Sequence, residues 1–217
     1  MRSTHKAESL LRVKLSHMIT AQAAIDDLYR VAVTEGKATS VLRLEVLADF
    51  CVQELARRGL NDVEKEATIP GAGRNKKWDV AWSYDGKYRL GVSLKSLLRN
   101  LGGAVPNRID DMIGEVTNAQ LHSPEIVIGY VMIFNVAADS HSPKHNLTRY
   151  DLFRERLASL SGRRPPSWAN GTVEDFVLVE VDFSSGPKIR GASQTFEEFF
   201  DVLIEQVKLR NPNAVAD

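Results

Sequence analysis

The chain has 217 residues, enough for one hydrophobic core, and its 28 Lys and Arg residues balance 28 Asp and Glu residues. This neutral balance lacks the basic excess of most DNA-binding proteins, although a local basic face stays compatible with it. The single cysteine, Cys51, excludes an internal disulfide, and no apolar run has the length of a membrane span. We expect one cytoplasmic domain over residues 1–217 with no membrane partner.

The chain is predicted to begin with two helices. Apolar residues at helical spacing predict an N-terminal helix over residues 8–33. A second helix is predicted from the N-cap pair Thr39-Ser40 to a stop at Gly59. Glu45 lies at the edge of its apolar side. It is either an exposed helix charge or a carboxylate that leans over the neighbouring sheet.

A short strand over residues 64–69 is predicted next, followed by a glycine-rich turn and a basic run. The run contains Arg74, Lys76 and Lys77. It lacks the spacing of a Walker phosphate loop, and no helix follows it. The three charges therefore predict either contacts with a phosphate backbone or a solvated loop.

Residues 76–95 are predicted to form a β-hairpin. Apolar and polar residues alternate on both sides of a turn signal at Asp85-Gly86. The period of two predicts that Asp79 lies on the face opposite Trp78 and Val80.

Charged residues of this hairpin predict a hydrolytic site. Ser93 and Lys95 share one face of the second strand, and Asp79 is expected to meet Lys95 near one end of the hairpin. A carboxylate and a lysine beside a second acidic group can hold Mg²⁺ and position a water for attack on a phosphodiester.

A helix from about Asn107 to His122 and an apolar strand over residues 125–135 follow the hairpin. Asp111 and Glu115 are four residues apart and share one face of this helix. Acidic residues near a helix start are often only partners of the helix dipole. From the second helix onward, the predicted order of elements is αβββαβ.

This order, together with the spacing of Asp79, Ser93 and Lys95, resembles the PD-(D/E)xK nuclease superfamily. The stretch from Ser93 to Ser96, followed by NRIDDMIGEVTNAQ and IVIGYVMIF, is similar to XhoI-type type II restriction endonucleases over residues 76–135. The resemblance implies an α/β fold with a restriction-endonuclease-like core over residues 39–135. In that core a mixed central sheet is flanked by helices.

The resemblance also implies roles for individual residues. Asp79 would bind the metal and Lys95 would be catalytic. Ser93 stands where the family usually has Asp or Glu, so a helix would supply the missing carboxylate. The candidates for it are Glu45, Asp111 and Glu115. The predicted DNA contacts of this region are Arg74, Lys76, Lys77, Ser96, Asn107 and Arg108.

A C-terminal extension of the core is predicted over residues 147–210, with a helix at each end and a strand over residues 174–183. A long loop between the first helix and this strand carries Arg163, Arg164 and Trp168. An arginine pair beside a tryptophan suits a DNA contact, and an exposed loop anchored by one buried ring explains it equally well.

The expected function is that of a Mg²⁺-dependent type II restriction endodeoxyribonuclease. Such an enzyme would hydrolyse phosphodiester bonds of double-stranded DNA at a short palindromic site, as a homodimer. The alternative is a catalytically degenerate nuclease-fold protein that acts as a DNA-binding or assembly module. A nucleotide-binding α/β enzyme is disfavoured because the chain has no phosphate-loop or G-x-G-x-x-G signature.

Overall fold

The computed structural model of the protein describes residues 18–166 and 168–214. Its centre is a mixed six-stranded sheet with the strand order β1-β2-β3-β4-β7-β8. The strands β3, β4 and β7 run parallel, and the other neighbours pair antiparallel. The six strands are β1 (Glu64–Ile69), β2 (Lys76–Tyr84), β3 (Lys87–Leu97), β4 (Val127–Asn135), β7 (Asp175–Asp182) and β8 (Lys188–Ala192). A small separate ladder joins β5 (His141–Ser142) to β6 (Leu147–Thr148).

Helices cover both faces of the sheet. The α-helices are α1 (Ala21–Tyr29), α2 (Glu45–Arg57), α3 (Leu101–His122), α4 (Arg149–Ser159) and α5 (Phe196–Arg210). A π-helical turn, Arg30–Thr34, extends α1, and a 3₁₀ turn, Val41–Leu44, leads into α2. The first part of the predicted N-terminal helix, residues 8–17, lies outside the described residues. None of the described helices has both the length and the apolar character needed to cross a membrane.

The sheet separates two hydrophobic clusters, and β4 contributes to both. Val131 and Ile133 pack with α1, α2 and α5, whereas Tyr130 and Met132 pack with α3 and α4. Every residue of β4 is buried, as expected for a parallel strand covered on both faces. The prediction of an α/β fold with a mixed central sheet flanked by helices is thereby confirmed.

The predicted order of elements from the second helix to the apolar strand is also observed, as α2-β1-β2-β3-α3-β4. The start of α3 was predicted wrongly, because the helix begins at Leu101 instead of Asn107 and contains Pro106. Pro106 is the sixth residue of the helix, beyond the first turn, so its missing N–H removes one intrahelical hydrogen bond. Leu101 and Val105 are almost fully buried, and their burial anchors the turns around the proline.

The side-chain alternation predicted for the first hairpin strand does not hold at Asp79. Trp78 belongs to the cluster under α3, whereas Val80 belongs to the cluster under α2, so these two residues do not share a face. Opposite this point, Glu66 of β1 has a positive φ of 54°. The ladder between β2 and β3 begins only at the pair Val80 and Val92. At this point β1 is irregular, and β2 does not pair with β3 beyond Val80. The side chains of β2 can therefore switch from one face of the sheet to the other at Asp79.

Candidate functional site

The position of Asp79 follows from the place where β2 and β3 stop pairing. Its carboxylate replaces a backbone acceptor there, since Oδ2 accepts the Leu94 N–H at 2.7 Å. The Ser93 hydroxyl donates to the same oxygen at 3.4 Å. Among the described residues no group donates to Oδ1 of Asp79. One oxygen of this carboxylate is thus fixed by β3, and the other is left for a ligand.

Glu115 brings the second carboxylate from α3. Its Oε2 accepts a hydrogen bond of 2.6 Å from the Tyr130 hydroxyl on β4. Its Oε1 forms an ion pair with Lys76 and lies 3.7 Å from the Nζ of Lys95. The side chain is only 9% exposed, so these partners fix its position in a low-dielectric environment. We call Asp79, Ser93, Lys95, Glu115 and Lys76 the acid–lysine cluster.

The pKa shifts of the two carboxyl groups indicate how the cluster is charged. Burial raises the pKa of Asp79, the charge of Lys95 and the Leu94 N–H oppose this rise, and Glu66 and Glu115 add to it. Burial acts in the same direction on Glu115. There, however, Lys95, Lys76 and Tyr130 together hold the pKa below its ordinary value of 4.5. Glu115 is therefore ionised at neutral pH, and its charge is felt at Asp79.

The cluster contains two carboxylates, the ligand type that a hard divalent cation prefers, although both oxygens of Glu115 already have partners. Mg²⁺ keeps several waters and is commonly held by one or two carboxylates together with substrate phosphates. Asp79 with its unused Oδ1 and Glu115 could supply those carboxylates. Within residues 18–166 and 168–214, no group of three His, Cys, Asp or Glu side chains is arranged to hold a metal ion. A cation at the cluster would therefore have to draw its remaining ligands from water and substrate.

Two other predicted metal ligands lie apart from this cluster. Glu45 forms an ion pair with Lys65, which also binds Asp49 at 2.6 Å. Asp111 is exposed and pairs with Arg108 at 3.1 Å. Of the three helix carboxylates predicted as alternatives, only Glu115 contacts Lys95. The prediction of Glu45 and Asp111 as metal ligands is therefore not supported by their positions.

The predicted DNA contacts fall into different environments. Lys76 pairs with Glu115, Lys77 pairs with Glu66 at 3.1 Å, and Ser96 accepts a hydrogen bond from Arg43. Arg74, Asn107 and Arg164 are exposed, and Arg108 is partly buried.

Arg163 is buried instead, and all of its bonds are internal. Its guanidinium bonds Glu174 at 3.1 Å and the carbonyl oxygen of Pro124 at 2.7 Å. Since its side chain has no exposed surface, Arg163 is unsuited to contact DNA, and we withdraw that prediction.

Sequence reasoning missed three residues around the cluster. Glu66 adds a third negative charge near Asp79 from the irregular part of β1, which no sequence pattern marks. Asn118 binds the backbone of Gly73 and Arg74, and so ties the basic loop to α3. The sequence could have indicated a role for Tyr130, because a tyrosine inside an apolar strand needs a hydrogen-bond partner for its hydroxyl group.

Comparison of the chain with protein-family models, with curated proteins and with solved structures finds no match.

Proposed function

We propose that the protein is a metal-dependent endodeoxyribonuclease of the PD-(D/E)xK type, similar to type II restriction endonucleases. One observation carries this proposal: Lys95 lies 3.7 Å from Glu115, and its charge acts on Asp79. A lysine that acts on two carboxylates near the end of a strand pair can support hydrolysis of a phosphodiester with a bound cation.

In this proposal, each residue of the cluster has a separate role. Asp79 and Glu115 would hold Mg²⁺, and Ser93 would orient Asp79 through its hydroxyl group. When bound, Mg²⁺ supplies polarisation of the phosphate and a lower pKa for water. The ammonium group of Lys95 would orient the attacking water and offset the negative charge that develops on the phosphate.

Double-stranded DNA is the proposed substrate, because the exposed Arg74 lies two residues before Lys76 of the cluster. Asn107, which is exposed, and Arg108, which is partly buried, lie on the same helix as Glu115. A short palindromic site has two-fold symmetry, which a homodimer would match. A restriction enzyme of this kind would act in the cytoplasm.

The test compares the wild-type protein with Lys95→Ala on plasmid DNA in Mg²⁺. We expect discrete fragments from the wild type and a loss of cleavage of about a hundred- to a thousand-fold in the variant, as for removal of one electrostatic group at a reacting centre. Binding of DNA should change little, because Lys95 acts on the reacting phosphate. Binding is measured by fluorescence anisotropy with a labelled duplex.

The matched control is Lys87→Ala, which removes an exposed lysine from the first residue of the same strand. It should cut like the wild type. Cleavage that survives in Lys95→Ala would contradict the proposed role of this lysine. Plasmid that stays intact with the wild type in both Mg²⁺ and Mn²⁺ would contradict the nuclease proposal itself.

A specific observation favours a second candidate, a nuclease-fold protein without activity. Glu115 is already neutralised by Lys76 and approached by Lys95, and Ser93 replaces the usual strand carboxylate. Such a protein would bind DNA or assemble with partners without a metal. Calorimetric titration with Mn²⁺ separates the two, since binding that is lost in Asp79→Asn supports the enzyme and an absence of binding supports the inactive module.

A further inference from the structure

A small cavity with a positively charged lining lies at the carboxyl end of β3. Its volume is about 130 Å³. The loop before α2, the end of β3 and the beginning of α3 enclose it, and its polar lining includes Ser96, Arg99 and Arg108. The cavity is therefore large enough to hold a small oxyanion.

Arg43 lies outside the lining of the cavity and contacts it through Ser96, from the side of the 3₁₀ turn. Its Nε donates to the Ser96 hydroxyl at 3.1 Å, and its Nη1 donates to the Ser40 carbonyl oxygen at 2.6 Å. These two bonds fix the guanidinium on the Ser96 wall. They leave its Nη2 without an acceptor among the described residues. Arg43 thus retains donors for a ligand.

Two of the three arginines of this region form no ion pair with any described residue. Within the described part of the chain, neither Arg43 nor Arg99 takes part in an ion pair. Arg108 pairs only with Asp111, whose side chain is 54% exposed, so solvent weakens this pair. The Nε of Arg108 is buried and has no hydrogen-bond partner in the described structure. A buried donor without an acceptor is costly, and an anion in the cavity would relieve that cost.

Arg43 and Arg108 also lie close enough to repel one another. Burial, followed by the charge of Arg108, lowers the pKa of Arg43, and only the charge of Asp79 opposes these effects. Two half-buried guanidinium groups in this arrangement are stabilised when an anion lies between them.

The cavity lies at the end of the strand that carries Lys95. Ser96 directly follows Lys95 and points to the opposite face of β3, and Arg43 experiences the charge of Asp79. We propose that the cavity binds a backbone phosphate of DNA, next to the phosphodiester that is cut, with Arg43 and Arg108 as its donors. The choice of DNA as the source of this phosphate rests on the proposed nuclease function. Bidentate donation by arginine matches the geometry of a phosphate group.

The first experiment measures binding of inorganic phosphate to the full chain. The thermal unfolding midpoint of the wild type should be higher in phosphate than in sodium chloride of the same ionic strength. Arg43→Gln and Arg108→Gln should each weaken this binding about ten-fold, as expected for a lost charge-assisted hydrogen bond. The matched control is Arg154→Gln, which removes an exposed arginine from a helical pair with Asp151 of 3.2 Å. It should bind phosphate like the wild type.

The second experiment measures the dependence of DNA affinity on salt concentration. Each of Arg43→Gln and Arg108→Gln should reduce the slope of log Kd against log salt by about 1, and Arg154→Gln should leave it unchanged. The double variant should lose little more than either single variant, because both arginines bind one phosphate. Arg43→Lys keeps the charge, and it should restore part of the slope if the cavity acts through an ionic contact.

The outcomes separate this inference from the proposed function. DNA cleavage by the wild type, with unchanged slopes and phosphate binding in both glutamine variants, would overturn the phosphate site and leave the nuclease standing. If inorganic phosphate stabilises the protein but the protein does not bind DNA, both the proposal that the phosphate belongs to DNA and the proposed nuclease function are overturned. Circular dichroism and the unfolding midpoint without phosphate show whether each variant is folded.

Discussion

At the scale of single residues, Tyr130 donates a hydrogen bond that stabilises the ionised form of Glu115. Its hydroxyl donates to Glu115 at 2.6 Å, and the ring is completely buried. Burial, followed by the charge of Glu115, raises the pKa of Tyr130, so the hydroxyl remains a donor at all ordinary pH values. Ser93 lies opposite Tyr130 in the ladder between β3 and β4. The tyrosine thus connects the strand that carries Lys95 with the carboxylate on α3.

Removing this hydroxyl tests that role. Tyr130→Phe should lower the free energy of unfolding at neutral pH by about 1.5–3 kcal/mol, the usual contribution of a hydrogen bond to a charged group. The pKa of Glu115 is held below 4.5 in the folded protein. Its ionised form therefore stabilises the fold above that value, and this stability is lost as pH falls through the folded pKa.

The variant should raise the folded pKa of Glu115, since the hydrogen bond from Tyr130 lowers it. The stability difference between the two proteins should consequently shrink as pH falls below 4.5 and Glu115 becomes protonated. Urea unfolding at a series of pH values measures it. A difference that is constant across this range would contradict the coupling between Tyr130 and Glu115, and would point to a packing effect alone.

At the scale of elements, the glycine-rich loop before β2 is part of the unit formed by α3. The side chain of Asn118 accepts hydrogen bonds from Gly73 N–H at 2.8 Å and Arg74 N–H at 3.3 Å. It also donates to the Arg74 carbonyl oxygen at 2.8 Å. A Cβ at position 71 would lie 1.9 Å from the Asn118 amide nitrogen, so only glycine fits at Gly71. The loop that carries Arg74 is therefore fixed relative to Glu115, one turn away on the same helix.

Asn118→Ala should release this loop without unfolding the sheet. Amide hydrogen exchange of Gly73 and Arg74 should accelerate, because both lose their acceptor. Ala72 serves as an internal control, since its N–H bonds the backbone oxygen of residue 118 at 2.9 Å and keeps that acceptor in the variant. In the proposed function, DNA binding should weaken about three- to ten-fold, through poorer positioning of Arg74.

The control variant for this experiment is Asp110→Ala, an exposed substitution on the same helix. It should leave both exchange and DNA affinity unchanged. Unaltered exchange of Gly73 and Arg74 in Asn118→Ala would mean that the loop holds its shape without Asn118.

The sequence predicted most elements because their signals are local. Alternation in β1 and β3, the apolar run of β4 and the capping box at Thr195 and Glu198 all give the observed elements. The start of α3 was missed because burial of Leu101 outweighs the usual effect of Pro106. The strand β8 was missed because its residues alternate between exposed and partly buried, with little apolar content.

The site was predictable only in part, for a related reason. The hairpin pattern predicted that Asp79 lies near Lys95, but not that β2 changes faces at Asp79 and pairs with β3 only from Val80. Glu115 was one of three helix carboxylates between which the sequence did not choose. Only the packing of α3 across the sheet distinguishes Glu115 from Asp111, since the two lie on differently buried parts of the helix. The contribution of Glu66 depends on an irregularity in β1 that the sequence pattern does not mark.

At the scale of the whole molecule, a buried charge cluster fastens the C-terminal helix to the sheet. Glu174 bonds Arg163 at 3.1 Å and Arg210 of α5 at 2.7 Å, and it also accepts the Ile128 N–H at 2.6 Å. The side chain of Glu174 has no exposed surface. The ring of Trp168 lies over Arg210, with 4.4 Å between the guanidinium carbon and the ring centroid. This cluster joins the start of β4, the segment before β7 and the end of α5.

Glu174→Gln keeps the shape of the side chain but removes the charge between two buried guanidinium groups. Breaking one member of a buried ionic cluster leaves uncompensated charge, and we expect a loss of about 3 kcal/mol in the free energy of unfolding. Chemical denaturation monitored by tryptophan fluorescence measures it. Mn²⁺ binding and DNA binding of the folded variant should remain close to wild type, because Glu174 makes no bond to the acid–lysine cluster in the described structure.

Glu197→Gln is a close control, since Glu197 also lies between two arginines. It approaches Arg57 at 3.5 Å and Arg58 at 3.9 Å, but its side chain is 70% exposed. Its removal should cost less than about 1 kcal/mol, because water already compensates both charges. Similar losses in the two variants would show that burial does not set the strength of the Glu174 cluster. The end of α5 would then be held mainly by its apolar contacts, through Leu203 and Val207.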